Sequence, residues 1–208
     1  MLFHILFALN LSGIFNGAVS FFTLILKRYG YLAIFVLMVL EAASLPIPSE
    51  VVLPVAGLLA ATGLFNIYLI FIVITVASLI GITIDYYLAY FIEKEIIYKH
   101  LKIFRISKNQ LEGFDRWFNR NGTFTVFIGR MLPEVRGLVS LPAGFAKMPL
   151  KKFYSYSLLG ITIWDMALLT FGYYALNAHN AYIAMVGVAV FAIVIYALFR
   201  IFVKNKME

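Results

Sequence analysis

The 208-residue sequence contains no cysteine. That excludes disulfides, thiolate metal centres and cysteine nucleophiles, and says little about compartment. Charge is scarce as well. Asp, Glu, Lys and Arg make up 13% of the chain, against about 25% in a soluble domain. The histidines His4, His100 and His179 are scattered among termini and loops. No HExxH or paired-His spacing occurs, so no metal is expected. There is no G-x-S-x-G elbow and no P-loop, and no cofactor is expected.

What fills the chain instead is apolar. Hydrophobic residues make up 63%, and the mean hydropathy is +0.93. This composition predicts a polytopic membrane protein forming one domain over 1–208. The first apolar run holds His4, Asn10, Asn16 and two glycines. It lacks a basic leader and a clear cleavage site, so it reads as a span and not as a removed signal peptide. The net charge is +7. The basic residues flank apolar spans, which points to topology and anionic headgroups and not to nucleic acid.

Spans need about 20 apolar residues. The candidates are 3–26, 29–45 with 51–63, 66–92, 122–148, 153–176 and 181–203. Two are interrupted, by LPIPSEVVLP at 45–54 and by LPEVRGLVSLP at 132–142. Proline ends or kinks a helix, so each reads as a re-entrant helix–break–helix hairpin, over 29–63 and 122–148. The expected break residues are Pro46, Pro48, Pro54, Pro133 and Pro142, with Gly57 and Gly144. Irregular backbone survives at membrane depth only where protein buries it or water reaches it. The one polar stretch, 93–121, reads as a cytoplasmic linker lying against the membrane surface. That orientation brings hairpin 29–63 in from outside and hairpin 122–148 in from inside. Both termini then fall in the cytoplasm. Lys27 and Arg28 fall outside, against the positive-inside rule.

The halves 29–92 and 122–176 resemble each other weakly. LPVAG at 53–57 answers LPAG at 141–144, and GITID at 81–85 answers GITIWD at 160–165. Broken helices in two halves of opposite orientation suggest an inverted repeat with a site near the midplane. The expected fold is therefore an all-α integral membrane protein, with about four transmembrane helices and two re-entrant hairpins in an inverted-topology repeat.

The breaks differ in charge. The first hairpin carries Glu41 and Glu50, the second Arg130, Glu134 and Arg136. Hairpins meeting from opposite faces would pair Arg130 or Arg136 with Glu41 or Glu50. Buried intramembrane charges are functional candidates by default. Arginine suits phosphate because its planar fork binds two oxygens. Either arginine also has a structural reading, as a cap for carbonyls that the prolines free. Glu41, Glu50 and Asp85 are read as proton-coupling acids or as ion-pair partners, and Asp165 as structural.

These residues resemble the DedA family, whose core is also called the VTT or SNARE-associated domain. The resemblance covers about 27–176. It is carried by the first hairpin with its Pro-x-Pro-x-Glu turn, by GITIDYYLAYFIEKE, and by FIGRMLPEVRGLVSLPAGFAKMPLKKF. It implies a transporter and not an enzyme. Such a protein flips a polyprenyl phosphate such as undecaprenyl phosphate across the cell membrane, with protons or sodium as candidate coupling ions. On that reading Glu41 and Glu50 are the essential acids, and Arg130 and Arg136 the bases that hold the headgroup. The rival readings are a phospholipid scramblase, a membrane assembly protein without transport, and an enzyme acting on phosphate lipids.

Overall fold

The computed structural model describes residues 2–91, 116, 122–132 and 135–175, with side chains from Asn16 onward. Most of the expected linker 93–121, the expected span 181–203, and Pro133 and Glu134 lie outside the described residues. The described elements are all helical. They are α1 (Leu2–Tyr29), α2 (Tyr31–Ala42), α3 (Ser49–Ala61), α4 (Ile67–Phe91), α5 (Phe124–Arg130), α6 (Ser140–Phe145) and α7 (Leu150–Tyr174).

Local sequence explains the boundaries. Gly30, at φ 63°, separates α1 from α2, a left-handed conformation that costs glycine nothing. α2 stops at a Schellman motif. Leu45 N donates to Leu40 O at 3.0 Å and Ser44 N to Glu41 O at 3.2 Å, which satisfies carbonyls at the helix end. The first break then runs through Pro46 and Pro48. Its remaining donors stay local, with Ile47 N on Leu45 O at 2.8 Å and Ser49 N on Ile47 O at 3.0 Å. α4 is capped by Asn66, whose Oδ1 accepts from Tyr68 N at 2.9 Å and Leu69 N at 3.2 Å, an N-cap of ordinary geometry.

Four expected break residues are corrected, two of them prolines. Pro54 lies inside α3, and Pro142 is the third residue of α6. Pro142 occupies a first turn, where the missing N–H has no intrahelical partner to lose. Pro54 sits deeper, at the crossing of α3 with α7, where its backbone lies directly against Gly172. That packing holds the helix together past the proline. Gly57 and Gly144 are likewise helical. They permit close crossings: a Cβ on Gly57 would lie 2.8 Å from Tyr173 N, and one on Gly144 would lie 2.7 Å from Ala89 Cβ.

Among the described residues, α4 is the one helix that meets both the length and the apolarity needed to cross a membrane. Its 25 residues span roughly 37 Å. One stripe, including Leu69, Ile72, Val76, Ile80 and Ile84, is exposed; the opposite face, with Ile70, Ile74, Gly81 and Asp85, is buried. Apolar residues facing outward suit lipid better than water. α2 and α6 both pack on α4, while α3 and α5 both pack on α7. One apolar cluster centres on Leu26, Ile34, Met38, Leu53 and Ile74. Another centres on Ile82, Tyr86, Val126, Val139 and Phe153.

Candidate functional site

Five charged side chains are buried among the described residues: Glu41, Asp85, Arg130, Arg136 and Asp165. They come from α2, α4, α5, the second break and α7 in turn. Desolvated charge is costly unless partnered, so the contacts of each define the site.

Arg136 meets Glu41 directly. Its Nε donates to Glu41 Oε1 at 2.8 Å, and its Nη2 lies 2.7 Å from the same oxygen. Ser49 Oγ, at the start of α3, approaches that oxygen at 3.5 Å. Asp165 Oδ1 stands 3.7 Å from Arg136 Nη2. The guanidinium also lies over the Trp164 ring at 5.6 Å, within cation–π range. Two N–H groups of the fork thus share one carboxylate oxygen. Arg136 Nη1 and both oxygens of Asp165 are buried without hydrogen bonds.

Arg130 is used differently. Nη1 donates to Arg136 O at 2.5 Å, Nη2 to Ser140 Oγ at 2.6 Å, and Nε to Ser157 Oγ at 3.4 Å. Phe153 lies beneath it at 5.9 Å. These hydrogen-bond partners are neutral. Arg130 therefore ties α5 to the backbone of the second break and to α7. The carbonyl-capping role that the sequence left open for either arginine falls to this one.

The expected meeting of acidic and basic hairpins takes place through Glu41 and Arg136. Glu50 is not part of the contact. It lies exposed in the first turn of α3, near enough for its charge to act on Arg136 and Asp165. Asp85 is bound to Ser44 Oγ, and Ser44 Oγ also donates to Gly137 O at 2.7 Å. A small cavity of about 10 Å³ lies among Glu41, Ser78, Arg130, Arg136, Gly137 and Ile161. That is room for about one water and far too little for a phosphate group.

A second space is lined by the same two long helices, α4 and α7. Ile82 and Ile161 line the charged cavity, while Thr83 and Leu158 line an apolar groove of about 610 Å³ with Val76, Leu79 and Tyr154. Thr83 Oγ1 and Tyr154 OH share a hydrogen bond of 2.8 Å in the groove.

Several site residues were missed from the sequence. Asp165 had a usable signal, since it ends GITIWD as Asp85 ends GITID. Ser44, Ser140 and Ser157 had none. Single serines in apolar sequence do not disclose their partners, and Ser44 gains its importance from a backbone angle.

A family model described as the VTT domain matches residues 47–174. The match covers α3 to α7 with Glu50, Asp85, Arg130, Arg136 and Asp165, and begins after Glu41. The chain is 37% identical over 151 residues to undecaprenyl phosphate transporter A of Staphylococcus aureus (strain NCTC 8325 / PS 47), covering 71% of this chain and 74% of that protein. It is 29% identical over 199 residues to an alkaline phosphatase-like protein of Lactococcus lactis subsp. lactis (strain IL1403), covering 88% and 93%. It is 27% identical over 131 residues to protein DedA of Escherichia coli (strain K12), covering 62% and 59%. No solved structure matches the chain. The buried charge cluster is therefore built almost wholly from a VTT domain, and the chain belongs to the DedA family of membrane proteins.

Proposed function

We propose that this protein carries a polyprenyl phosphate, such as undecaprenyl phosphate, across the cell membrane, and that Arg136 is the group that takes the phosphate. The observation that supports this most is the under-used fork of Arg136. Two of its N–H groups share one oxygen of Glu41, and Nη1 is buried without a hydrogen bond. A phosphate offers separate oxygens to the same fork and makes stronger, charge-assisted bonds. Arg130 keeps the second break in shape and comes within reach of the headgroup when the cavity opens. The name of the staphylococcal relative supports the substrate class.

The proposed architecture is a multi-pass protein with two re-entrant hairpins in an inverted repeat and both termini in the cytoplasm. Exchanged packing supports it. Gly81 of α4 lies against Val39 and Ala42 of α2, as Gly160 of α7 lies against Phe127 and Arg130 of α5. Gly57 of α3 then crosses onto α7, and Gly144 of α6 onto α4. Each half thus packs its break on the long helix of the other. Glu41, Glu50 and Asp85 supply candidate coupling acids for protons or sodium. The groove beside Thr83 and Leu158 gives the prenyl tail a path in lipid while the headgroup is held inside.

Purified protein in vesicles should move a polyprenyl phosphate between leaflets, and Arg136→Lys should move it at least tenfold more slowly while remaining folded. Lysine keeps the charge and loses the fork. Full activity of the lysine variant would remove the role given to Arg136. Equal movement of ordinary phospholipids would favour a scramblase, and release of inorganic phosphate would favour an enzyme.

A further inference from the structure

Ser44 occupies an unusual position. It is the left-handed residue that closes the α2 Schellman motif, at φ 59°. The corresponding residue after α3 is Gly63, at φ 81°. Glycine adopts this conformation freely, and a side chain there is strained. Strain of this kind invites the question of what the side chain supplies.

Ser44 supplies a hydroxyl with two oxygen neighbours, Asp85 Oδ2 and Gly137 O. A hydroxyl has one proton to give. Gly137 O is a carbonyl and can only accept. If Ser44 donates to Gly137, the proton in the Asp85 contact must come from Asp85. A count of charge agrees. Among the described residues, three buried acids, Glu41, Asp85 and Asp165, face two buried arginines. Arg136 stands between Glu41 and Asp165, and the hydrogen bonds of Arg130 go to neutral oxygens. One protonated acid balances these described charges, and Asp85 is the acid among them with no arginine in contact. The charged groups whose fields reach it are Arg130 from α5 and Glu41 from α2. α6, which also packs on α4, has no charged residue, while Glu50 of α3 and Asp165 of α7 act on Arg136.

We propose that Asp85 holds a proton in this closed conformation and donates it to Ser44, which donates in turn to Gly137, so that a neutral acid–hydroxyl bridge pins the two hairpin breaks together. Ser44 joins the end of α2 to α4 and to the second break through one oxygen. Parting of the breaks separates Gly137 from Ser44 and opens the bridge. The Asp85 proton is then free to pass to incoming water. The bridge thus deepens the transport reading by naming where a proton is kept and what releases it. Its chemistry can be tested without any lipid.

The measurement is infrared absorption of the pure protein in a detergent free of ester carbonyls, in H₂O and in D₂O. Wild-type protein should show the C=O stretch of a protonated carboxyl, shifted in D₂O. Asp85→Asn should lack it. Ser44→Gly, which suits the left-handed angle and keeps the fold, should move that band by removing its acceptor. A wild-type spectrum without the band, or one that Asp85→Asn leaves unchanged, would overturn the proposal. Should Asp85→Asn fail to fold, a band unmoved by Ser44→Gly would overturn it as well. Transport without the band would defeat this inference alone. The band without transport would defeat the lipid reading alone.

Discussion

Arg136→Ala should abolish phosphate-lipid binding and destabilise the folded protein by about 3–5 kcal/mol. The side chain neutralises Glu41 at 2.7 Å and stands 3.7 Å from Asp165. Both acids are buried, so truncation leaves negative charge in the interior with no arginine in contact, since the hydrogen bonds of Arg130 go to neutral oxygens. A loss of this size lowers the ratio of folded to unfolded protein by more than about a hundredfold. The pair itself is not a large source of stability. Its attraction is offset by the cost of taking both charges from water, so removing both partners should cost much less than removing either. The check is a cycle of Glu41→Ala, Arg136→Ala and the double variant, followed by unfolding in mixed detergent. The double loss should fall well short of the sum. Additive losses would mean that the two hairpins do not meet through these residues.

Gly172→Ala should also destabilise the protein markedly, although alanine is the better helix former by about 1 kcal/mol. A Cβ at position 172 would overlap the carbonyl group and Cα of Pro54. These are backbone atoms, so relief requires α3 and α7 to move apart. Overpacking of this kind costs about 1–3 kcal/mol, occasionally more. The separation would propagate to Ser49, at the start of α3, and through it to Glu41 in the last turn of α2. Gly137→Ala is the control. A Cβ there meets Ser44 Cα at 3.6 Å and Glu41 O at 3.8 Å, which is ordinary contact, and stability should change little. Thermal unfolding of the two alanine variants beside wild type decides the matter. A Gly172→Ala protein as stable as wild type would show that the helices do not cross as closely as described.

Much of the described helical structure was legible because its signals are physical and local. Apolar run length places α4, and Pro46 with Pro48 marks the first break. Pro54 misled for the opposite reason. Its effect on the chain depends on α7, more than a hundred residues away, and tertiary packing overrides the local tendency to break. The pairing of an acidic with a basic hairpin was legible from sign alone, since buried charge must find its opposite. The choice of Glu41 over Glu50 was not. Both acids belong to the first hairpin, and only the turn of α3 decides which of them faces inward. The division of labour between Arg130 and Arg136 was equally hidden, because it is set by Ser140, Ser157 and the carbonyl of residue 136, partners that sequence spacing does not identify.

On the proposed reading, a phosphate headgroup competes with Glu41 for Arg136. Binding of a short-chain isoprenyl phosphate, and of the corresponding alcohol, to purified protein tests it most directly, with wild type compared to Glu41→Gln. The glutamine variant has nearly the shape of glutamate but no charge to hold the arginine. It should bind the phosphate about tenfold more tightly than wild type, a gain of about 1.4 kcal/mol, while the alcohol binds weakly to both. If Glu41→Gln binds the phosphate no more tightly than wild type, or if the alcohol binds as well as the phosphate, the headgroup does not displace Glu41 from Arg136.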